Sequence, residues 1–204
     1  MTILQGFSYH AAYLDRQQQL HLWAAVRAVV AEAPFYTPTM PRSGKPLSVR
    51  MTNCGSLGWM TDRTGGYRYQ ATHPITNLPW PAIPEQLLSI WRDVTDCQVL
   101  PEACLVNHYA PGSRLGSHVD ADEADTTAPV VSISLGDDAV FHVGGLRRSD
   151  AKHRITLHSG DVVVLGGASR LAYHGVDRIL PGTSDLIEGG GRINLTMRRV
   201  TLPA

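Results

Sequence analysis

Cysteine is scarce in this chain of 204 residues, and long apolar runs are absent. The three cysteines, Cys54, Cys97 and Cys104, are odd in number and form no Cys-x-x-Cys pair, which excludes a zinc knuckle or dithiol redox motif. We expect three buried free thiols. No stretch approaches the roughly 20 apolar residues of a membrane span, and residues 1–5 lack the pattern of a signal peptide. We therefore expect a cytoplasmic monomer with no membrane partner.

The chain also lacks a net charge of either sign, since 18 Lys and Arg residues balance 18 Asp and Glu residues. Overall charge thus gives no support for a nucleic-acid partner, which usually leaves a basic excess. Two local basic clusters exist, although either alone is more typical of a solvated loop. They comprise Arg42, Lys45 and Arg50, and Arg147, Arg148, Lys152, His153 and Arg154.

Helical spacing appears only in the first half of the chain. Asp15 followed by Gln18 predicts a capping box, and the apolar stripe that follows it ends at Pro34. A second helix is predicted from Pro84 to about Asp96. The apolar stripes of the two helices contain Leu22, Trp23, Val26, Val29 and Val30, and Leu87, Leu88, Trp91 and Val94. Residues 37–48 and 74–81 are rich in proline or glycine and predict loops with room for binding.

From Cys104 onward, short β-rich runs alternate with turns. We predict strands near residues 104–109, 130–135, 139–143, 154–157, 161–165, 171–176 and 192–200. Such even spacing favours an antiparallel sandwich or jelly roll. The chain is therefore expected to be one mainly β domain, residues 1–204, supported by two N-terminal helices.

The triplet His118-Val119-Asp120 places two metal-binding side chains on the same side of an extended chain. By itself this pair is weak, because such a short pattern also arises by chance. A non-haem iron site of two histidines and one carboxylate takes its third ligand from a distant strand. His142, His153, His158 and His174 are available, and we favour His174 because it follows a β-rich run and precedes Gly175.

The C-terminal run places Arg192, Asn194, Thr196 and Arg198 on one face and three apolar residues on the other. The arginines could meet water, as is common in an antiparallel strand. Alternatively, they point into a barrel, where burial of guanidinium groups requires anions, and a dicarboxylate would satisfy both. Asn107 and Tyr109 also project to a common side of their strand. Inward polar strands beside a three-ligand metal would form a 2-oxoglutarate site.

Six segments together resemble the bacterial AlkB family of Fe(II)- and 2-oxoglutarate-dependent dioxygenases, in order and in approximate spacing. The resemblance covers about residues 34–200. The segments are MTNCGSLGW (51–59), NHYAPG (107–112), HVDADE (118–123), GGLRR (144–148), GDVVV (160–164) and RINLTMR (192–198).

This resemblance implies a double-stranded β-helix, with a nucleotide-recognition lid at about residues 36–80 and a jelly-roll core at about 100–200. It implies that Fe(II) is bound by His118, Asp120 and His174, and that 2-oxoglutarate is held by Asn107, Tyr109, Arg192, Asn194 and Arg198. Trp59 matches the aromatic residue that stacks on an extruded base. Other substrate-side positions are matched by Met51, Tyr67, Asp122, Glu123 and Arg148.

The activity that the resemblance implies is oxidative demethylation of N-alkylated bases in DNA, with RNA as a further candidate substrate. 1-Methyladenine and 3-methylcytosine are cationic, and Asp122 could compensate that charge. Oxygen and 2-oxoglutarate would be consumed, and formaldehyde, succinate and carbon dioxide released. Three alternatives stay open at this point: a 2-oxoglutarate-dependent hydroxylase of protein or small molecules, a cupin-like zinc or manganese enzyme, and a module that binds modified nucleic acid without turnover.

Overall fold

The computed structural model describes residues 5–203. Residues 1–4, on which most of the signal-peptide argument depends, and residue 204 lie outside the described part. Across residues 5–203, no helix has the length and apolar character needed to cross a membrane. The chain is mostly β, as the sequence predicts.

Twelve strands and two helices are described, with one 3₁₀ turn at Gly167–Ser169. The helices are α1 (Arg16–Glu32) and α2 (Glu85–Val94). The strands are β1 (Phe7–His10), β2 (Arg50–Gly55), β3 (Gly58–Asp62), β4 (Gly66–Gln70), β5 (Ala103–Tyr109), β6 (Leu115–His118), β7 (Val130–Gly136), β8 (Asp138–Val143), β9 (His153–Leu157), β10 (Val162–Leu165), β11 (His174–Leu180) and β12 (Arg192–Arg198).

Two antiparallel sheets face each other as a jelly roll. The major sheet has the order β1-β10-β7-β12-β5-β2, and the minor sheet has the order β6-β11-β8-β9. Strands β3 and β4 form a separate hairpin. Because β12 pairs with β5 on one side and β7 on the other, the polar C-terminal run lies at the centre of the major sheet.

The two helices cover the outer face of the major sheet. Helix α1 begins with the expected capping box, in which Asp15 accepts from the Gln18 amide and Gln18 accepts from the Asp15 amide. Leu22 and Val26 of α1 and Trp91 of α2 belong to the same buried cluster as the outward residues of β12. Removal of this apolar surface from water stabilises the packing of helices on sheet.

The side chains of β12 alternate between two buried environments. Ile193, Leu195 and Met197 are fully buried under the helices. Arg192, Asn194, Thr196 and Arg198 are also buried, but they face the space between the sheets. The inward interpretation of the two arginines is therefore confirmed, and the solvent-facing alternative is wrong.

Several boundaries differ from the expectation. Residues 171–173 lie outside any strand, and the strand expected at 171–176 begins only at His174 and runs to Leu180. Strands β1 to β4 and β6 were not predicted, because they are short and mix polar and apolar residues without clear alternation. Strand β2 pairs with β5, so part of the expected lid segment belongs to the major sheet. Cys54 and Cys104 are buried, but Cys97 is only half-buried.

Candidate functional site

A cavity of about 630 Å³ opens between the two sheets. Its wall includes every candidate site residue from the sequence except Glu123. These residues are Met51, Trp59, Tyr67, Asn107, Tyr109, His118, Asp120, Asp122, Arg148, His174, Arg192, Asn194 and Arg198. Residues that are up to 147 positions apart in the sequence are thus brought to one site by the fold.

His118, Asp120 and His174 converge at one end of the cavity. His118 ends β6 and His174 begins β11, where the two are paired across the minor sheet. Their Nε2 atoms lie 3.6 and 3.5 Å from the two carboxylate oxygens of Asp120. The three potential ligand atoms all lie within 4.8 Å of one another, which fits a two-histidine, one-carboxylate metal site.

Backbone contacts orient both histidines toward a metal. Nδ1 of His118 lies 2.9 Å from the Gly116 carbonyl, and Nδ1 of His174 lies 2.9 Å from the Ala172 carbonyl. A carbonyl oxygen only accepts, so each Nδ1 is the donor and each Nε2 keeps its lone pair for a cation. Burial and the nearby His174 lower the pKa of His118 to about 4, which also favours the neutral, ligating form.

The carboxylate of Asp120 is held ionised. Burial opposes its charge, but the neighbouring Arg198 guanidinium outweighs burial and keeps the pKa of Asp120 well below the usual range. Arg198 Nη2 donates a 2.7 Å hydrogen bond to Asp120 Oδ1. The other oxygen, Oδ2, is buried without a hydrogen-bond partner among the described residues and is therefore available to a metal.

Arg192 is a buried cation that forms no ion pair with a carboxylate in residues 5–203. Its exposed fraction is 1%, and its hydrogen bonds go to the Ser134 hydroxyl at 2.6 Å and the Asp137 carbonyl at 3.2 Å. Its Nε has no acceptor within the described chain. Burial lowers the pKa of Arg192 to about 10. An anion in the cavity would relieve this unfavourable burial.

The wall between the metal end and Arg192 is polar. In the β5–β12 register, Tyr109 lies opposite Arg192 and Asn107 lies opposite Asn194. The Asn194 amide donates to the Ser132 hydroxyl at 2.7 Å, and its carbonyl accepts from the Thr196 hydroxyl at 2.8 Å. Its side chain is therefore fixed in place.

The mouth of the cavity is lined by aromatic side chains, one acidic side chain and one basic side chain. Trp59 stacks on Tyr67, with ring centroids 5.8 Å apart, and its indole donates to Asp122. Asp122 itself is exposed. Across the mouth, Arg148 donates to the Ser117 carbonyl at 2.9 Å and lies over the Tyr173 ring.

The position of Glu123 does not fit the expected substrate contact. Its side chain is fully buried between Arg170 and Arg198 and lies outside the cavity wall. The sequence placed it beside Asp122, but consecutive residues of an extended segment point to opposite sides. This candidate is therefore corrected to a buried ion-pair residue.

Comparison with known proteins agrees with this geometry. Residues 6–198 match the 2OG-Fe(II) oxygenase superfamily. A protein of Caulobacter vibrioides (strain NA1000 / CB15N) named alpha-ketoglutarate-dependent dioxygenase AlkB homolog is 51% identical over 98% of this chain and 90% of its own length. The chain belongs to the AlkB family.

Two further AlkB-family relatives differ more in sequence. The solved structure of OsALKBH1 superposes with a TM-score of 0.81 at 31% identity, covering 98% of this chain and 100% of that chain. An Arabidopsis thaliana protein named DNA N(6)-methyladenine demethylase ALKBH1C is 33% identical over 92% of this chain and 47% of its own length. The structural match identifies the fold as the jelly roll of the AlkB family.

AlkB-family dioxygenases use Fe(II), 2-oxoglutarate and oxygen, and the residues present fit the first two. The unpartnered Asp120 Oδ2 and the two oriented Nε2 atoms fit a divalent metal. The unpartnered Nε atoms of Arg192 and Arg198 fit the carboxylates of 2-oxoglutarate.

Sequence reasoning missed several residues that support this AlkB-family site. Arg170 donates to the Asp120 carbonyl at 2.6 Å and to Glu123 at 3.0 Å. Tyr69 contacts Glu123 and Arg198. Neither residue belongs to a metal or anion pattern in the sequence. The available signal for Tyr69 was its spacing of two from Tyr67, which places both tyrosines on the same face of an extended chain.

Proposed function

We propose that this protein oxidatively demethylates N-alkylated bases in nucleic acid, with 1-methyladenine and 3-methylcytosine in DNA as the primary substrates and RNA as a further one. The observation that carries the proposal is a single cavity in which two buried arginines, a His-Asp-His metal group and an aromatic mouth with a carboxylate lie together. We further propose that residues 36–80 serve as the nucleotide-recognition lid.

The cosubstrate half of the site is assigned to Asn107, Tyr109, Arg192, Asn194 and Arg198. Arg192 lies without a carboxylate partner in the described chain, and Arg198 lines the cavity with an Nε atom that has no hydrogen-bond partner among the described residues. A dicarboxylate provides two anionic ends for two buried guanidinium groups. This pairing offsets the desolvation of Arg192, which has no carboxylate partner in the described chain, and adds a second anionic contact at Arg198.

The substrate half of the site is assigned to the mouth. A base must leave the stack before its methyl group reaches a metal, and an aromatic face such as Trp59 replaces part of the lost stacking. Tyr67 extends this aromatic surface. Asp122 supplies negative charge for a cationic base, Met51 lines the wall, and Arg148 lies at the mouth, where it can meet a phosphate.

When bound by His118, Asp120 and His174, Fe(II) supplies the oxygen chemistry that converts 2-oxoglutarate to succinate and carbon dioxide and hydroxylates the methyl group. The chain's own residues perform the positioning. The carbonyls of Gly116 and Ala172 orient the two imidazoles, and Arg198 keeps Asp120 anionic. The hydroxymethyl group then leaves as formaldehyde.

The direct test is anaerobic purification with Fe(II), followed by incubation with oxygen, 2-oxoglutarate and matched methylated or unmethylated oligonucleotides. We expect formaldehyde and succinate in equal amounts, and only with the methylated strand. Cupin-like chemistry predicts turnover without 2-oxoglutarate, and a binding module predicts oligonucleotide binding without either product. If the protein is a dioxygenase but demethylates none of the methylated oligonucleotides, the result would instead point to a protein or a small molecule as substrate.

A further inference from the structure

A buried charge network lies directly behind the metal-ligating carboxylate. Glu123 bridges Arg170 at 3.0 Å and Arg198 at 3.1 Å, and all three side chains are almost fully buried. Arg198 also contacts Asp120 at 2.7 Å. Two guanidinium groups thus face two carboxylates, and the network is neutral before any metal or cosubstrate binds.

This network fixes the orientation of Arg198. Its Nη1 donates to Glu123 and to the Tyr69 hydroxyl, each at 3.1 Å, and its Nη2 donates to Asp120. Hydrogen-bond acceptors therefore fix both the Nη1 and the Nη2 atoms of the Arg198 guanidinium group. The remaining donor, Nε, is buried without a partner within residues 5–203, and Arg198 lines the cavity.

Tyr69 connects this network to the β3–β4 hairpin. It lies in β4, directly opposite Trp59 of β3, but it lies outside the cavity wall. Its hydroxyl donates to Glu123 and accepts from Arg198. Burial raises the pKa of Tyr69 above its ordinary value, so the hydroxyl keeps its proton and acts as a donor near neutral pH.

We propose that Glu123 and Tyr69 are positioning residues through which the β3–β4 hairpin sets the orientation of Arg198 and thereby the affinity for 2-oxoglutarate. This inference rests on the proposed contact between Arg198 and 2-oxoglutarate. Neither residue touches the cavity, so each acts through Arg198. The two effects are reciprocal. A change in the position of the β3–β4 hairpin alters the affinity for 2-oxoglutarate, and binding of 2-oxoglutarate in turn favours the hairpin position in which its affinity is higher.

Removal of the Glu123 charge has a definite consequence. Without it, Arg170 and Arg198 would share a buried region with only Asp120 as counterion, and Arg198 would turn toward Asp120. The guanidinium group would then change its orientation at the cavity wall, which Arg198 lines. Removal of the Tyr69 hydroxyl leaves the charges unchanged but frees one side of Arg198 and detaches the hairpin from it.

The test is calorimetric titration of 2-oxoglutarate into anaerobic, Fe(II)-loaded wild-type protein, Glu123→Gln and Tyr69→Phe. We expect the dissociation constant to rise about tenfold in Glu123→Gln, as for loss of a hydrogen bond to a charged group. In Tyr69→Phe we expect a rise of about fivefold, a typical coupling factor. Saturating 2-oxoglutarate should restore turnover, so KM for the cosubstrate changes and kcat does not.

Tyr13→Phe is the matched control, because Tyr13 donates to Asp93 in a similar tyrosine–carboxylate contact outside the cavity wall. It should bind 2-oxoglutarate like the wild type. Equal 2-oxoglutarate affinity in wild type, Glu123→Gln and Tyr69→Phe would overturn the inference and leave the proposed function intact. The same would follow if Tyr13→Phe weakened 2-oxoglutarate binding as much as Tyr69→Phe. A wild-type protein that fails to bind 2-oxoglutarate would refute both. If Glu123→Gln does not fold, Tyr69→Phe alone decides.

Discussion

The indole Nε1 of Trp59 donates a 2.7 Å hydrogen bond to Oδ2 of Asp122. Trp59 lies on the hairpin, and Asp122 lies two residues after Asp120, which we propose as a metal ligand. The stacking surface and the carboxylate that we assign to the substrate are therefore joined to each other before a base enters. Their separate contributions can be tested by different substitutions.

Asp122→Asn should selectively impair repair of charged lesions. The amide keeps an oxygen for the Trp59 hydrogen bond but removes the negative charge. We expect kcat/KM to fall about fivefold for cationic 1-methyladenine and 3-methylcytosine, the scale of an exposed charge pair, and less for neutral 1-methylguanine and 3-methylthymine. Formaldehyde release from four matched oligonucleotides measures the ranking. Equal losses on all four would mean that Asp122 orients the site without responding to charge.

Trp59→Ala should weaken substrate binding only. Loss of aromatic stacking costs roughly 1–3 kcal/mol per base, and neither the metal nor 2-oxoglutarate contacts the indole in our assignment. Trp59→Phe is the matched variant, since it retains an aromatic face but loses the bond to Asp122. Oligonucleotide binding by fluorescence anisotropy should rank wild type, Phe, then Ala. The stacking role is wrong if the two variants bind the oligonucleotide equally well.

Replacement of His118, Asp120 or His174 by Ala should abolish turnover and sharply weaken Fe(II) binding, because each supplies one of three ligand atoms. Anaerobic metal titration measures the affinity directly. His158→Ala is the control, since its imidazole is exposed and pairs with Asp138 rather than with the metal group. Normal Fe(II) binding by His174→Ala would show that the third ligand is another residue.

Arg192→Met should weaken 2-oxoglutarate binding without loss of stability. One charge-assisted pair is typically worth about 1.5–3 kcal/mol, so we expect at least a tenfold rise in the dissociation constant. Without cosubstrate, the variant should unfold at the wild-type temperature or above, because an uncompensated buried cation is removed. With cosubstrate, the wild type should gain more stability than the variant. Thermal melts with and without 2-oxoglutarate measure both effects, and an equal gain in both proteins would contradict the assignment.

Gly175→Ala should disturb the metal site from outside the ligand set. A Cβ there would lie 2.6 Å from the Leu115 carbonyl oxygen and 3.0 Å from that of Gly116, which would push β6 away from β11 and separate His118 from His174. We expect weakened Fe(II) binding and a lower melting temperature. Gly144→Ala is the control, since its nearest contact would be 3.5 Å. If Gly175→Ala binds Fe(II) with wild-type affinity, β6 accommodates the added Cβ without separating His118 from His174.

The sequence by itself determined the alternating faces of β12, the capping box of α1 and the ligand pair His118 and Asp120. These features are local. A period of two fixes which side chains of a strand share a face, and a spacing of three brings the two residues of a capping box into contact. Reasoning from the residues also favoured His174 as the third ligand and a 2-oxoglutarate site along β5 and β12, and the resemblance then added the substrate-side positions such as Trp59. Strands such as β6 were not predicted from the sequence, since four residues of mixed polarity give no periodic signal.

The direction in which the polar face of β12 points was decided only by the tertiary structure. Both faces are buried, and the same alternation would suit a strand with its arginines in water. The pairing of β12 between β5 and β7, with helices on the opposite face, places Arg192 and Arg198 inside. The burial of Glu123 likewise depends on Arg170 and Tyr69, which are 47 and 54 residues away along the chain. Contacts between such distant residues depend on how the strands pack, which no local pattern specifies.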